Sequence, residues 1–218
     1  MIMLYKFGHY IIQYEINIYF NFYILLFIMS KFQLDRLKDL NIKNKVDKII
    51  YSPGEIIDEW EETRGYVDLY RLKKNRDKSK AIIFIHGGSF TELSARDECY
   101  QYFAYILCEM TGYDIIVPDF TLPPLKQYPY QLEDIIRVYN YFSSSGYKDL
   151  ILGGDSSGGC IAFSTLLKYP KLFSAGFIIS GWLNLNSDTI SYKTREYCKK
   201  THTGDVMFRS TAEKNKKI

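Results

Sequence analysis

A chain of 218 residues, 47% hydrophobic and 24% charged, has the length for one sizeable globular domain and little room for a second. Its net charge of +3 is concentrated at the end: residues 193–218 hold 8 Lys/Arg against 3 Asp/Glu, so the body is close to neutral and shows no nucleic-acid footprint. Cys99, Cys108, Cys160 and Cys198 form no C-x-x-C pair and no histidine falls at zinc-ligand spacing, which gives no metal site and fits a reduced, cytoplasmic setting.

Residues 1–30 read as a hydrophobic N-terminal extension. Within it, residues 16–29 are nearly all aromatic or aliphatic, broken by Asn17 and Asn21. A membrane-spanning helix needs about 20 apolar residues, and this run is shorter. Three readings stay open: a dispensable extension before Met29-Ser30-Lys31, a membrane anchor, or an extra packed element.

From residue 31 onward, strand and helix signals alternate. Residues 32–40 predict a short amphipathic helix. Residues 48–51 and 66–72 read as edge strands, set off by polar turns at Pro53-Gly54 and residues 73–80. Residues 81–85, Ala-Ile-Ile-Phe-Ile, form a continuous apolar run, as in a strand buried on both faces. Ser94 with Asp97 reads as a capping box opening a helix to about residue 110, stopped by Gly112. Residues 113–117 form the next strand, closed by Pro118, and three prolines make 119–130 irregular. A helix over 131–142, a strand over 149–153, a helix over 158–169 and a strand over 175–180 complete the pattern. The alternation predicts an α/β fold: a mainly parallel sheet with helices on both faces, over residues 31–192. Residues 193–218 read as a solvated basic tail.

Two short motifs carry chemistry. The first, Gly154-Asp155-Ser156-Ser157-Gly158-Gly159, stands between a predicted strand and a predicted helix. In G-x-S-x-G the flanking glycines let strand and helix approach, so the serine hydroxyl stands exposed on a strained turn. Reading Ser157 as the nucleophile instead would put Asp155 where the first glycine belongs, so Ser156 is the candidate. Cys160 comes directly after the glycines as a small packing residue. The second motif, His86-Gly87-Gly88-Ser89-Phe90, directly follows the buried strand 81–85. Acyl transfer needs pre-aimed N–H donors for a tetrahedral oxyanion. The candidates are the amides of Gly88, with Gly87 or Ser89, together with that of Ser157. His86 precedes the glycines and reads as a loop-orienting residue rather than a base.

With these motifs the chain resembles the hormone-sensitive-lipase-like branch of the α/β-hydrolases, which carries an H-G-G-x-F-like loop and a G-D-S-A-G-G elbow. Further collinear blocks agree. Asp119-Phe120-Thr121-Leu122-Pro123-Pro124-Leu125 resembles the family's D-Y-R-L-A-P-E segment. Tyr128-Pro129 and Leu132-Glu133-Asp134 resemble its aromatic-Pro pair and L-E-D helix start. Ser180-Gly181-Trp182-Leu183-Asn184-Leu185 resembles its S-P-W-x-D-L. Thr121, Leu125, Gly181 and Asn184 depart from the pattern. The resemblance implies hydrolysis of a small-molecule carboxylic ester by a serine mechanism, without cofactor or metal. Amidase chemistry on the same site is a further reading.

The family order is serine, acid, histidine, with the last two on later loops, and 62 residues follow Ser156. They offer Asp188 and Asp205 as acids and His202 as base, with no apolar run before His202 to aim it. The sequence therefore reads as lacking the fold's last strands. A complementing C-terminal fragment would supply acid and base, or the chain is an inactive remnant or binding module. Without those strands an exposed sheet edge and a tendency to associate are expected.

Overall fold

A computed structural model describes residues 2–6, 41–58, 64–74, 79–123 and 125–183. The predicted segments 16–29 and 32–40, together with Asp188, His202 and the basic tail, lie outside the described residues. Those described form a seven-stranded sheet of order β1-β7-β6-β4-β5-β3-β2. The strands are β1 (Ile2–Lys6), β2 (Val46–Tyr51), β3 (Val67–Leu72), β4 (Lys80–Ile85), β5 (Asp114–Pro118), β6 (Asp149–Asp155) and β7 (Ala175–Ile179). Three helices connect the later strands: α1 (Glu98–Thr111), α2 (Tyr130–Ser144) and α3 (Ser156–Lys168).

The central strands β5, β4, β6 and β7 run parallel, and β3, β2 and β1 are antiparallel flanks. The apolar run of β4 explains its central place. Ala81, Ile83 and Ile85 pack on one face with Leu132, Ile135 and Val138 of α2 and Ile161 and Leu166 of α3. Ile82 and Phe84 pack on the other with Ala104, Tyr105 and Cys108 of α1. Side chains alternate across a strand, so a strand covered on both sides must be apolar throughout. Each such buried Val, Leu, Ile or Phe side chain contributes about 1.5–3 kcal/mol. Buried residues of α2 recur at helical spacing, Leu132, Ile135, Val138 and Phe142, which turns one stripe onto the sheet.

Helix α1 ends where glycine was expected to end it. Gly112 takes a φ of 71° and its amide donates to Cys108 O at 2.9 Å. The helix starts later than the Ser94 signal predicts. Asp97 is the N-cap, and Ser94 and Asp97 instead close the preceding turn: Ser94 N donates to Asp97 Oδ2 (2.6 Å), and Arg96 N to Ser94 Oγ (3.1 Å).

Two edge expectations are corrected. β3 is not an edge strand: it lies between β2 and β5, with Val67, Asp68, Leu69 and Tyr70 buried. Buried Asp68 pairs with Lys48 of β2 at 2.6 Å, and buried Asp114 accepts two bonds from Arg71 and one from Tyr147 OH. These charges made the flank look polar in sequence. Nor is β7 bare on its outer side, because β1 pairs with it antiparallel, Ile2 opposite Ile179 and Lys6 opposite Ala175.

Candidate active site

The topology sets the place. The chain leaves β4 for β5 by way of α1 on one face. It then crosses back over β4 to β6, with α2 and α3 on the opposite face. Connections that depart in opposite directions open a crevice at the carboxyl ends of the adjacent strands, here β4 and β6. Their register pairs Ile85 with Gly154, so the next segments, His86 onward and Asp155 onward, emerge side by side.

The elbow is tighter than the sequence suggests. β6 runs through Asp155 and α3 begins at Ser156, so the turn is the serine itself, at φ 50°. A non-glycine residue there is strained and persists only where its surroundings hold it. The glycines show how. A Cβ on Gly158 would lie 2.2 Å from Ile85 O and 2.3 Å from His86 O. One on Gly154 would lie 2.5 Å from Gly158 O, and one on Gly159 2.9 Å from Gly181 Cα. Helix α3 is therefore seated directly on the end of β4. Ser156 O accepts the Trp182 amide at 2.9 Å, and the Trp182 ring stacks on buried Phe90 at 6.1 Å. Thus HGGSF, the elbow and the S-G-W block meet around Ser156.

The loop after β4 is also strained, with φ of 123°, 56° and 65° at Gly88, Ser89 and Phe90. The Gly88 carbonyl accepts the amides of Thr91 (3.0 Å) and Glu92 (2.8 Å), which closes the loop on itself. The Gly87 amide points inward, donating to Tyr100 OH (2.8 Å) and Asp155 Oδ1 (2.9 Å). Among the described residues the amides of Gly88 and Ser89 have no hydrogen-bond partner. Ser157, the second residue of α3, has no intrahelical partner for its amide either.

His86 is fully buried and stacked on Phe120 with ring centroids 4.6 Å apart. Its Nδ1 lies 2.7 Å from Gly87 O and its Nε2 3.4 Å from Asp119 Oδ1. Both nitrogens face the loop's rear supports, as expected of an orienting residue. Asp119 holds that rear. Its Oδ1 accepts from Arg64 Nη1 (3.0 Å) and the Ala95 amide (3.1 Å), while Arg64 also donates to Leu93 O (2.8 Å). Thr121 stands where the family pattern has arginine and is tied to α2 by backbone and side chain. Its amide donates to Asp134 Oδ2 (3.0 Å), and its carbonyl accepts from Gln131 Nε2 (2.9 Å). Burial pushes the Asp134 carboxyl above the usual carboxylate range, against the opposing pull of the Thr121 bonds and Arg137.

Asp155 and Tyr100 are the site residues that sequence reasoning passed over. Asp155 stands beside Ser156 within the motif, which is a signal of place but not of partner. Tyr100 carries no signal beyond its position on α1. Their side chains join at 3.0 Å, Tyr100 OH to Asp155 Oδ2. Burial pushes the Asp155 carboxyl up to about 6, opposed by the Tyr100 bond, nearby His86 and the Gly87 amide. Desolvation and the Asp155 charge also push the Tyr100 phenol well above its ordinary range. Among the described residues no cluster of His, Cys, Asp and Glu could hold a metal ion, and no helix is long and apolar enough to cross a membrane.

The chain is similar to known proteins. Over 128 residues the chain is 30% identical to the gibberellin receptor GID1B of Arabidopsis thaliana, covering 55% of this chain and 35% of the receptor. Over 107 residues it is 33% identical to an esterase of Gibberella moniliformis, covering 46% of this chain and 33% of the esterase. The matched stretch thus spans about a third of the length of these curated relatives. In three dimensions, a crystal structure of an esterase from the bacterial hormone-sensitive lipase family superposes with a TM-score of 0.59. It is 19% identical over 80% of this chain and 57% of that one, a likeness of fold. The family model described as alpha/beta hydrolase fold matches residues 82–216, a span that begins in β4 and contains the loop after it and the turn at Ser156, and the chain belongs to that family.

Proposed function

We propose that this chain is a serine carboxylesterase-type hydrolase in which Ser156 is the nucleophile. The observation that carries the reading is the strained Ser156, at φ 50° between two glycines that admit no Cβ, beside a loop whose Gly88 and Ser89 amides have no partner among the described residues. Ser156 Oγ adds to the ester carbonyl carbon and its proton passes to a general base. The amides of Gly88, Ser89 and Ser157 receive the oxyanion. Collapse expels the alcohol, and water then releases the acid from the acyl-serine. Gly87 belongs to the same loop, but its amide is already engaged by Asp155 and Tyr100, so the proposed donors narrow to the other three.

The base comes from outside the described residues, since His86 is turned onto Gly87 O and Asp119. His202 with Asp188 is one source and a complementing C-terminal segment the other. Small acyl esters are the substrates to try first, because several matched relatives are named acetyl esterases. The test is mass spectrometry of the full chain after a fluorophosphonate probe, alongside p-nitrophenyl acetate hydrolysis. An adduct on Ser156, lost with Ser156→Ala, is expected. Labelling elsewhere, or hydrolysis unchanged by Ser156→Ala, overturns the reading. His202→Ala then separates the two sources of base.

A second reading is a binding module that keeps the crevice without turnover. It is favoured by the relative named as a receptor rather than a hydrolase. It predicts saturable binding of a small carboxylate or ester by calorimetry, equal in wild type and Ser156→Ala, with no adduct in either.

A further inference from the structure

The buried polar group behind the loop is not used by the serine mechanism, yet it joins the elbow, α1 and the loop after β4. Asp155 precedes the nucleophile, Tyr100 projects from α1, and Gly87 opens the strained loop. A Cβ added to Gly87 would lie 2.7 Å from Asp155 Oδ2, 3.0 Å from Tyr100 OH and 3.1 Å from Ser156 Cβ. Asp155, Tyr100 and Ser156 thus all crowd Gly87, and no side chain larger than hydrogen fits at that position. One amide is shared between a carboxylate and a phenol, while the next two have no partner among the described residues.

We propose that Asp155 and Tyr100 are positioning residues that select the loop's oxyanion donors, by drawing the Gly87 amide inward and so fixing the turn that presents Gly88 and Ser89. The selection rests on the hydrolase reading for its use, but not for its geometry. Successive peptide planes in a tight turn are coupled, so anchoring one amide fixes the next two. A carboxylate is a strong acceptor for a backbone N–H, which makes Asp155 the effective anchor. Tyr100 OH bridges the same amide and the other carboxylate oxygen, so neither oxygen can swing away. The groups facing Asp155 are Tyr100 from α1 and His86 with the Gly87 amide from the loop. Cys99 lies within electrostatic reach, its thiol pushed up by burial first and then by Asp97 and Asp155.

The test is amide hydrogen exchange by NMR on the 15N-labelled full chain, with ester kinetics in parallel. Gly87 is expected to exchange roughly 10- to 100-fold more slowly than Gly88 and Ser89, as suits a bond to a charged acceptor. That protection should weaken as pH falls through about 6. Tyr100→Phe should reduce the difference, and should lower kcat roughly tenfold with KM within about twofold, because a misplaced donor acts on the transition state alone. Asp155→Asn, which keeps a neutral acceptor, should show protection that no longer varies with pH. Equal exchange at Gly87, Gly88 and Ser89 in the wild type overturns the proposal, and this arm stands even if Tyr100→Phe fails to fold. An unlabelled Ser156 beside a protected Gly87 overturns the hydrolase reading and leaves donor selection intact. A labelled Ser156 beside an unprotected Gly87 does the reverse.

Discussion

Replacing Gly158 with alanine should damage the site through the backbone alone. An alanine Cβ would sit 2.2 Å from Ile85 O and 2.3 Å from His86 O, where ordinary contact begins at 3.4 Å. The end of β4 and the start of α3 must therefore part by about 1.2 Å, and both offending atoms are main-chain carbonyls that no rotamer change can move. Overpacking of this kind costs about 3 kcal/mol at the upper end of its usual range. Alanine returns roughly 1 kcal/mol of helix propensity. The net loss is about 2 kcal/mol, or about 4–8 °C in Tm for a chain of this size. The atom displaced is His86 O, the root of the oxyanion-type loop, so probe labelling of Ser156 should fall by about 100-fold as well.

Gly112→Ala supplies the control. Gly112 has a φ of 71° and nothing within 4 Å of its would-be Cβ, so only backbone strain of about 1–2 kcal/mol is expected there. Both variants are read by differential scanning calorimetry and by the fluorophosphonate labelling rate. Both should lose stability, but only Gly158→Ala should lose labelling. If Gly158→Ala kept the wild-type Tm and labelling rate, the seating of α3 on β4 could not be what presents the serine.

Tyr147→Phe removes a hydroxyl bonded to buried Asp114 and to Arg71, and should cost about 2 kcal/mol in urea unfolding without altering labelling. Asp119→Ala strands Arg64 and frees the Ala95 amide and His86, and should cost about 3–5 kcal/mol while also slowing labelling. For Asp155, folding raises the carboxyl from 3.8 to about 6, so between those values the folded chain keeps a proton that the unfolded chain has released. Its contribution therefore lowers stability as pH rises through that window, and urea midpoints at pH 4, 5, 6 and 7 should show this downward component in the wild type and lose it in Asp155→Asn.

Legibility in the sequence depends on how each signal arises. The run 81–85 is apolar at every position because β4 is covered on both faces, whereas a strand with one face in water would alternate. Gly154 and Gly158 were readable because only glycine tolerates a carbonyl at 2.2–2.5 Å. The interior place of β3 was hidden, because Asp68 and Arg71 give it an edge-like composition and their partners, Lys48 and Asp114, are remote in sequence. The antiparallel seat of β1 on β7 was hidden for the same reason: nothing local in residues 2–6 names a partner more than 160 residues away. Tyr100 was invisible because a tyrosine facing a site and one facing a core look alike on a helix.

The same distinction explains why Ser156 and its turn were easier to read than their surroundings. Ser156, Gly87, Gly88, Ser89 and Ser157 lie on two segments that leave neighbouring parallel strands at one register level, Ile85 beside Gly154. Backbone geometry alone brings them together, and backbone geometry is written in glycines. What tunes them is written in side chains that arrive from elsewhere: Tyr100 from α1, Asp119 from the end of β5, and Trp182 from beyond β7. Each reaches the crevice because the connections leave the adjacent strands β4 and β6 in opposite directions. A chain of this topology therefore brings Ser156 and the proposed donors together as soon as β4, β6 and α3 dock. Substitutions at the strand–helix seat should thus abolish reactivity at its origin, whereas substitutions at the tuning residues should only grade it.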